Sequence, residues 1–564
     1  MLMVLLDWVY ILLVVALFGM LTNRILKIES KSLVKISMTG VVVTTVLVEY
    51  ISIFYKIGLL VHLLVLAVCV VTAWLERKLC KEILLGCIKE VISWQGLVYV
   101  GIILIVAFYS SRGTMHSDTS MYHAQAIRWY EEYGLTIGQV NLQTHFGYNS
   151  ACFAFAALFS MGFLGGQPLH CTTGFIAVLL CIWAVKRLAG FFSHERHMFD
   201  MCCVAILLYA LVNACGFMSP ASDYMTMFIA IYLIARWAEE IESGSKNIQA
   251  FAMLSVLAVY LTSLKLSAGL CVLLVIYPLI FLIKEKKWRD IGKYLILGLM
   301  VILPFLIRNV IISGWLLYPF PAIDLFNVDW KLPISEAERD SAFIKIWARG
   351  ICVADKTLVN MPMKEWIPIW WEYQERYAQV LVITNFMAVF LGFLAFAHKI
   401  VKKIKIDWNL VLLFSVIVIN AIAWFILAPF IRYGLAFLLT LPLLAIGTWF
   451  KKEESSLYKV VSGATVTLMI LIVLPYIDHY FTDDMVFLKQ RLRDNYYVVQ
   501  KDYEAGEMYE LNIDGLTVYC PVYGEATGYY AFPSSAYSDM PQNMELRGSG
   551  IEDGFRPKPG AYEN

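Results

Sequence analysis

The chain has 564 residues, of which 60% are hydrophobic and 16% charged, and its formal net charge is +1. A soluble domain carries about 25% charged and about 45–50% apolar residues, so this composition excludes a disordered chain, a fibre and an ordinary soluble enzyme. The near-zero charge argues against nucleic acid as a partner. Long apolar runs recur from end to end, the pattern of a polytopic α-helical membrane protein.

The first run, Met3–Met20, has no basic segment before it and no A-x-A site after it, and reads as a retained span. Further runs lie near residues 37–55, 58–75, 94–110, 168–185, 200–217, 221–236, 249–266, 267–283, 293–312, 378–397, 409–428, 432–449 and 458–476. They predict an all-α membrane domain of about fourteen transmembrane helices over residues 1–476. Basic clusters near residues 24–35, 77–89, 186–196, 284–289, 399–405 and 451–459 all fall on one face if the apolar stretch 149–164 does not cross. That stretch therefore reads as an interfacial or re-entrant helix. The opposite, outer face receives loops 111–167 and 313–377 and a C-terminal region, 477–564. This last region carries 7 Lys/Arg and 15 Asp/Glu, and has a strand at Leu516–Val522 that predicts a small α/β cap. Most of the twelve cysteines sit in apolar runs as small hydrophobes. Cys352 and Cys520, on the outer side, could pair.

The first outer loop is the most informative stretch. Ser117 or Asp118 can cap a helix whose stripe of Tyr122, Ala126, Trp129 and Tyr133 recurs every three or four residues. Such a helix is expected on the membrane surface with its aromatic face down. Asp118 then stands at the outer boundary, either as a cap or as a general base or metal ligand. His116, His123 and His145 match no standard metal spacing and read as polar surface groups. Gly147 is expected to serve a turn into the re-entrant helix.

Four further charges face the same side. Lys265 stands at the hinge of two apolar runs, where a charge is costly and suggests an anion contact. Arg308 ends a span, and Arg432 follows Ala428-Pro429 in a short turn; either guanidinium can grip a phosphate with two donors. Asp223 opens a helix, as a cap or as a second acid near Asp118. The tryptophans of loop 313–377 read as an aromatic belt or, alternatively, a saccharide surface. No GxGxxG or Walker A fingerprint is present.

A long outer loop with an Asp just beyond a span, an interfacial helix, many further spans and an outer C-terminal region resembles the GT-C class of membrane glycosyltransferases. That resemblance implies transfer of a sugar from a polyprenyl-phosphate-type donor to an extracytoplasmic glycan or lipid acceptor. It also implies a place in the bacterial plasma membrane, with the C-terminus outside. Asp118 matches the class's loop Asp, its catalytic base or metal-linked acid, although Ser117 replaces the usual second acid. The resemblance puts Asp118 in the catalytic place; their own positions and charges put His116, Tyr122, His123, Asp223, Lys265, Arg308 and Arg432 as candidates around the substrates. A divalent metal is an open possibility. The segments His116–Ser150, Arg308-Asn309 with Ser313–Pro321, Asp324–Trp330, Ala428–Gly434 and Glu545–Arg556 also resemble a family of large bacterial membrane proteins without an assigned activity. A polymerase or ligase of lipid-linked polysaccharide, and a non-catalytic transporter of lipid-linked glycans, are the alternatives; the transporter fits less well because no internal repeat is present.

Overall fold

The computed structural model describes residues 1–190, 197–245, 247–449 and 484–562. The predicted run 458–476 and the basic positions Arg196, Lys451, Lys452 and Lys459 lie outside these residues. Helices occupy the other apolar runs. Among the described residues, eight helices are long and apolar enough to cross a membrane, or nine if the bent pair Leu59–Leu75 and Arg77–Ile92 is one span. That is fewer than the fourteen expected. Thr172–Leu188, His197–Val212 and Ile248–Leu264 form helices of only 16 or 17 residues.

The hub is helix Ser222–Glu242, buried without interruption from Met225 to Ala238. It is apolar almost all round because it is enclosed on every side. Its neighbours are helices Thr172–Leu188, His197–Val212, Ile248–Leu264 and Ile431–Trp449. At one end of the bundle, basic residues pair with carboxylates of adjacent helices: Arg24 with Glu76 at 2.6 Å, Lys31 with Glu82 at 2.9 Å and Lys35 with Glu239 at 3.3 Å. The basic stretch expected as a loop is the helix Arg77–Ile92, set at 90° to the helix before it.

The stretch 149–164 does not span. Its helix, Ala151–Phe159, has nine residues, all buried, and reaches only about 13 Å. It lies inside protein, against helices Leu33–Phe54 and Ala124–Glu132. Helix Ala124–Glu132 is likewise not a surface helix: Tyr122, Ala126 and Trp129 are buried. Trp129 packs on Phe532 and Phe555 of the C-terminal region, ring centroids 4.8 and 6.1 Å away. The aromatic stripe that suggested a lipid-facing side faces protein, because the C-terminal region covers it.

That region is built from a helix, Asp484–Arg493, and two antiparallel hairpins. Strands β1 (Met508–Ile513) and β2 (Leu516–Pro521) form one, and β3 (Met544–Leu546) and β4 (Phe555–Pro557) the other. It is tied to loops 111–167 and 313–377. Gln125 Nε2 donates to the carbonyls of Gly528 and Ala531, each at 2.9 Å. The Phe555 amide donates to the Ile137 carbonyl at 2.9 Å, and Arg547 grips Asp329 at 2.9 and 3.2 Å. Loops 111–167 and 313–377 and the C-terminal region thus share one end of the bundle. Cys352 is exposed, Cys520 is buried, and both are free thiols.

Two expectations change role here. Gly147 has no left-handed backbone to accommodate; it lets the chain approach Tyr318, whose ring would lie 2.6 Å from an added Cβ. Arg308 is a structural tie, not a phosphate grip. Its Nη1 donates to Ser52 Oγ at 2.6 Å and to the Gly134 carbonyl at 3.1 Å, its Nε to Asn149 Oδ1 at 3.1 Å, and its guanidinium stacks 3.9 Å over the Tyr130 ring. With these three hydrogen bonds made inside the protein, only 2% exposure and no place on the wall of the molecule's large cavity, Arg308 is out of a ligand's reach. Arg308→Ala is therefore expected to cost about 3 kcal/mol or more of stability by orphaning several buried acceptors. Thermal unfolding of the detergent-solubilised protein checks this. An unchanged melting temperature with lost ligand binding would return Arg308 to the site.

Candidate functional site

Four chain breaks build the site. Helix Trp94–Arg112 ends at Gly113, and the chain turns into a π-helical turn, Thr119–His123, with Asp118 at its start. Such turns are uncommon and concentrate at functional sites. Here a hydroxyl pair holds it, Thr119 Oγ1 with Ser219 Oγ at 2.6 Å. Helix Ile248–Leu264 stops at Lys265, whose extended backbone (φ −161°) breaks the path into the next helical segment. Helix Ser222–Glu242 begins beside Asp223, and helix Ile431–Trp449 begins at the Pro429 turn beside Arg432.

These breaks bring four charges together. Arg432 Nη2 reaches Asp118 Oδ2 at 3.0 Å, and Arg432 Nε lies 3.5 Å from Asp223 Oδ2. Asp223 also pairs with Lys265. Lys265 Nζ sits 3.8 Å over the ring of Tyr433, to whose hydroxyl Arg432 also donates at 3.3 Å. Neither acid caps its helix: no side-chain capping bond is made by Asp118, and the cap position before Asp223 is Ala221. The capping explanation for both residues falls away. Two cations face two carboxylates, so the cluster is neutral as a set; Asp223 is buried, while the other three keep a partly open face. Side-chain exposure is 26% for Asp118, 20% for Arg432 and 22% for Lys265.

His116 completes the rim. Its Nδ1 accepts the Asp118 amide N–H at 3.1 Å, which requires an unprotonated nitrogen there. Burial and the charge of Arg432 lower its proton affinity, in keeping with a neutral ring. Burial also opposes ionisation of Asp118, but neighbouring positive charge, that of Arg432 above all, outweighs it and holds the carboxyl well below the usual range. With His116 Nδ1 engaged as an acceptor, Arg432 is the permanent cation responsible.

A cavity of about 1720 Å³ joins these residues to the rest of the molecule. Of the predicted site residues, Asp118, His116, Tyr122, Asp223, Lys265 and Arg432 line it. Arg308 does not, and neither does His123, which is buried behind the wall with Nδ1 3.1 Å from Thr119 Oγ1 and a pKa pushed down to about 3 by burial. One arm is apolar and runs between helices Ile248–Leu264, Leu266–Lys284 and Trp288–Ser313, lined by Val256, Val259, Leu279, Leu295, Leu299 and Ile302. From Ala252 to Leu264 it follows about 18 Å of helix. Leu295 and Leu299 are more than half exposed, so this arm opens sideways onto the outer surface of the bundle. The other arm passes His145, Tyr148, Tyr318 and Asp340 to Glu525, Tyr537 and Asp539 of the C-terminal region.

Sequence reasoning missed Tyr433 and this second arm, and took His145 for a polar surface group. Tyr433 was legible in principle, as an aromatic next to a boundary Arg. The second arm was not, since its walls come from three segments far apart in the chain. Among the described residues no group of three or more His, Cys, Asp or Glu is arranged to hold a metal.

A sequence profile described as a domain of unknown function, DUF8201, matches residues 1–439. The chain belongs to that family. The DUF8201 match takes in the whole charged cluster, from His116 to Arg432, and stops short of the C-terminal region. No curated protein and no solved structure matches the chain.

The ion pair makes a pH prediction. A carboxyl held below its ordinary value of 3.8 contributes stability that is fully present above that pH and is lost as pH falls below it. Wild type should therefore melt above Asp118→Asn at neutral pH, with the gap unchanged through mild acid and closing only below about pH 4. A gap that closes between pH 7 and 5 would contradict the pairing.

Proposed function

We propose that this DUF8201 protein is an integral-membrane glycosyltransferase that takes a sugar from a polyprenyl-phosphate-type donor and passes it to an acceptor at the end of the bundle where the loops and C-terminal region meet. One observation carries the reading: a single cavity couples a pair of cations to an apolar slot that opens sideways beside the membrane-length helices Leu266–Lys284 and Trp288–Ser313. A lipid phosphate has that shape, a charged head on a hydrocarbon chain. Arg432 and Lys265 meet the head, and the slot takes the chain. GT-C-like architecture supports the reading by resemblance alone.

The chemistry follows from the ion pairs. In the resting site Asp118 is a weak base, because Arg432 stabilises its charged form. An arriving phosphate competes for Arg432 and Lys265 and adds negative charge nearby, and both effects raise the proton affinity of Asp118. Asp118 then takes the proton of the acceptor hydroxyl as that oxygen attacks the anomeric carbon. The bond from that carbon to the phosphate oxygen breaks, and the departing charge is met by cations already in place. A lipid-linked polysaccharide polymerase or ligase that spares Asp118 remains the second reading; the tight engagement of Asp118 with Arg432 favours it.

The same proposal sets the topology. The basic end faces the cytosol of a bacterium and the C-terminal region faces outward. Shorter helices such as Thr172–Leu188 and Ile248–Leu264 complete a count near fourteen.

Asp118→Asn tests the transferase reading. The amide keeps the shape but is no base, so product formation should fall roughly 100- to 10,000-fold with donor binding retained. Turnover of radiolabelled polyprenyl-phosphate sugar by the purified protein reads it out. Near-normal turnover would move the ligase reading ahead.

A further inference from the structure

The outward arm of the cavity has a different chemistry from the lipid slot. Its rings form one continuous surface: Tyr122 to His145 at 5.0 Å, His145 to Tyr148 at 5.4 Å, His145 to Tyr537 at 5.8 Å and Tyr148 to Tyr318 at 6.1 Å between centroids. The C-terminal region contributes only Glu525, Tyr537 and Asp539, and no aliphatic residue. Loop 313–377 adds Leu317, Ile323, Phe343 and Ile344 to the cavity wall near Tyr318 and Asp340, so the acids and rings stand beside apolar surface.

Two buried polar groups border this arm. Asp340 is about nine-tenths buried; its Oδ1 accepts from the Tyr148 hydroxyl at 3.0 Å, and the Tyr318 hydroxyl, on a side chain only 3% exposed, also interacts with its carboxylate. Both residues line the cavity, so a carboxylate flanked by two tyrosine hydroxyls borders its contents.

We infer that this arm is a saccharide subsite, and hence that the acceptor presents a sugar; the inference rests on the transferase reading for the word acceptor, but the binding site stands on its own geometry. A pyranose presents C–H faces ringed by hydroxyls. Tyrosine and histidine rings offer apolar faces with polar edges, and carboxylates accept from hydroxyls at the rim. Asp340, Glu525 and Asp539 surround the rings with acceptors. The sugar's reacting hydroxyl would enter past Tyr122 toward Asp118, which lines the same cavity.

Saturation-transfer NMR on the full chain in lipid nanodiscs tests this, with maltose and chitobiose as probes and inorganic pyrophosphate titrated in parallel. At least one disaccharide should show transfer. Asp340→Asn and Tyr537→Ala should weaken it roughly tenfold, the scale of one hydrogen bond to a charged group, and leave pyrophosphate affinity unchanged. Arg432→Ala should do the reverse. If Tyr537→Ala fails to fold, the isosteric Asp340→Asn carries the test. Absence of transfer from both sugars, or transfer indifferent to Asp340→Asn, would overturn the subsite and leave the transferase reading standing. Pyrophosphate binding indifferent to Arg432→Ala, with sugar binding intact, would overturn the transferase reading and leave the subsite.

Discussion

Arg432 stands between two carboxylates at the end of an apolar bundle, and the site is organised by that placement. A lone guanidinium at such a boundary is costly, and so is a lone carboxylate. Shared among Asp118, Asp223 and Lys265, the charges compensate one another without the full burial that would shut them off from a ligand. The balance is poised. An anion can replace a carboxylate as the partner of Arg432 with no net change in the number of ion pairs, so exchange costs less than stripping a bare cation of water. The helix breaks at Lys265 and Pro429 serve the same end by placing charges at helix termini, where side chains can converge on one point.

The charged half of the site was legible because of a simple rule: a charge beside an apolar run needs a reason. The rule found Asp118, Asp223, Lys265 and Arg432. It failed at Arg308, whose reason is a ring of hydroxyl, amide and carbonyl acceptors on the elements around it. Nothing local separates the two arginines; only the partners do, and partners are a tertiary fact. The stripe of Tyr122, Ala126 and Trp129 was read correctly as one helix face, but periodicity does not say what covers a face. Lipid and the Phe532–Phe555 side of the C-terminal region are equally apolar. The span count is a similar case: hydropathy marks buried helices of 16 or 17 residues such as Thr172–Leu188 and His197–Val212 as readily as the longer ones, and length separates the two classes.

The cavity explains why the C-terminal region, though soluble in composition, is inseparable from the membrane bundle. It closes the outward arm with Glu525, Tyr537 and Asp539 and anchors the turn that carries Asp118, since the Thr527 and Gly528 amides donate to the Ser120 carbonyl at 2.9 Å. An apolar compartment and a polar one thus meet at a single charged junction, the arrangement needed when a lipid-borne group is handed to a water-soluble partner.

The most direct measurement is a cryo-EM structure of the full chain in nanodiscs loaded with a polyprenyl phosphate. The account predicts phosphate density within hydrogen-bond distance of Arg432 and Lys265, the Asp118–Arg432 pair loosened, and hydrocarbon lying between helices Ile248–Leu264 and Trp288–Ser313. Lipid phosphate bound elsewhere, with the slot empty and the four charges paired as before, would contradict it.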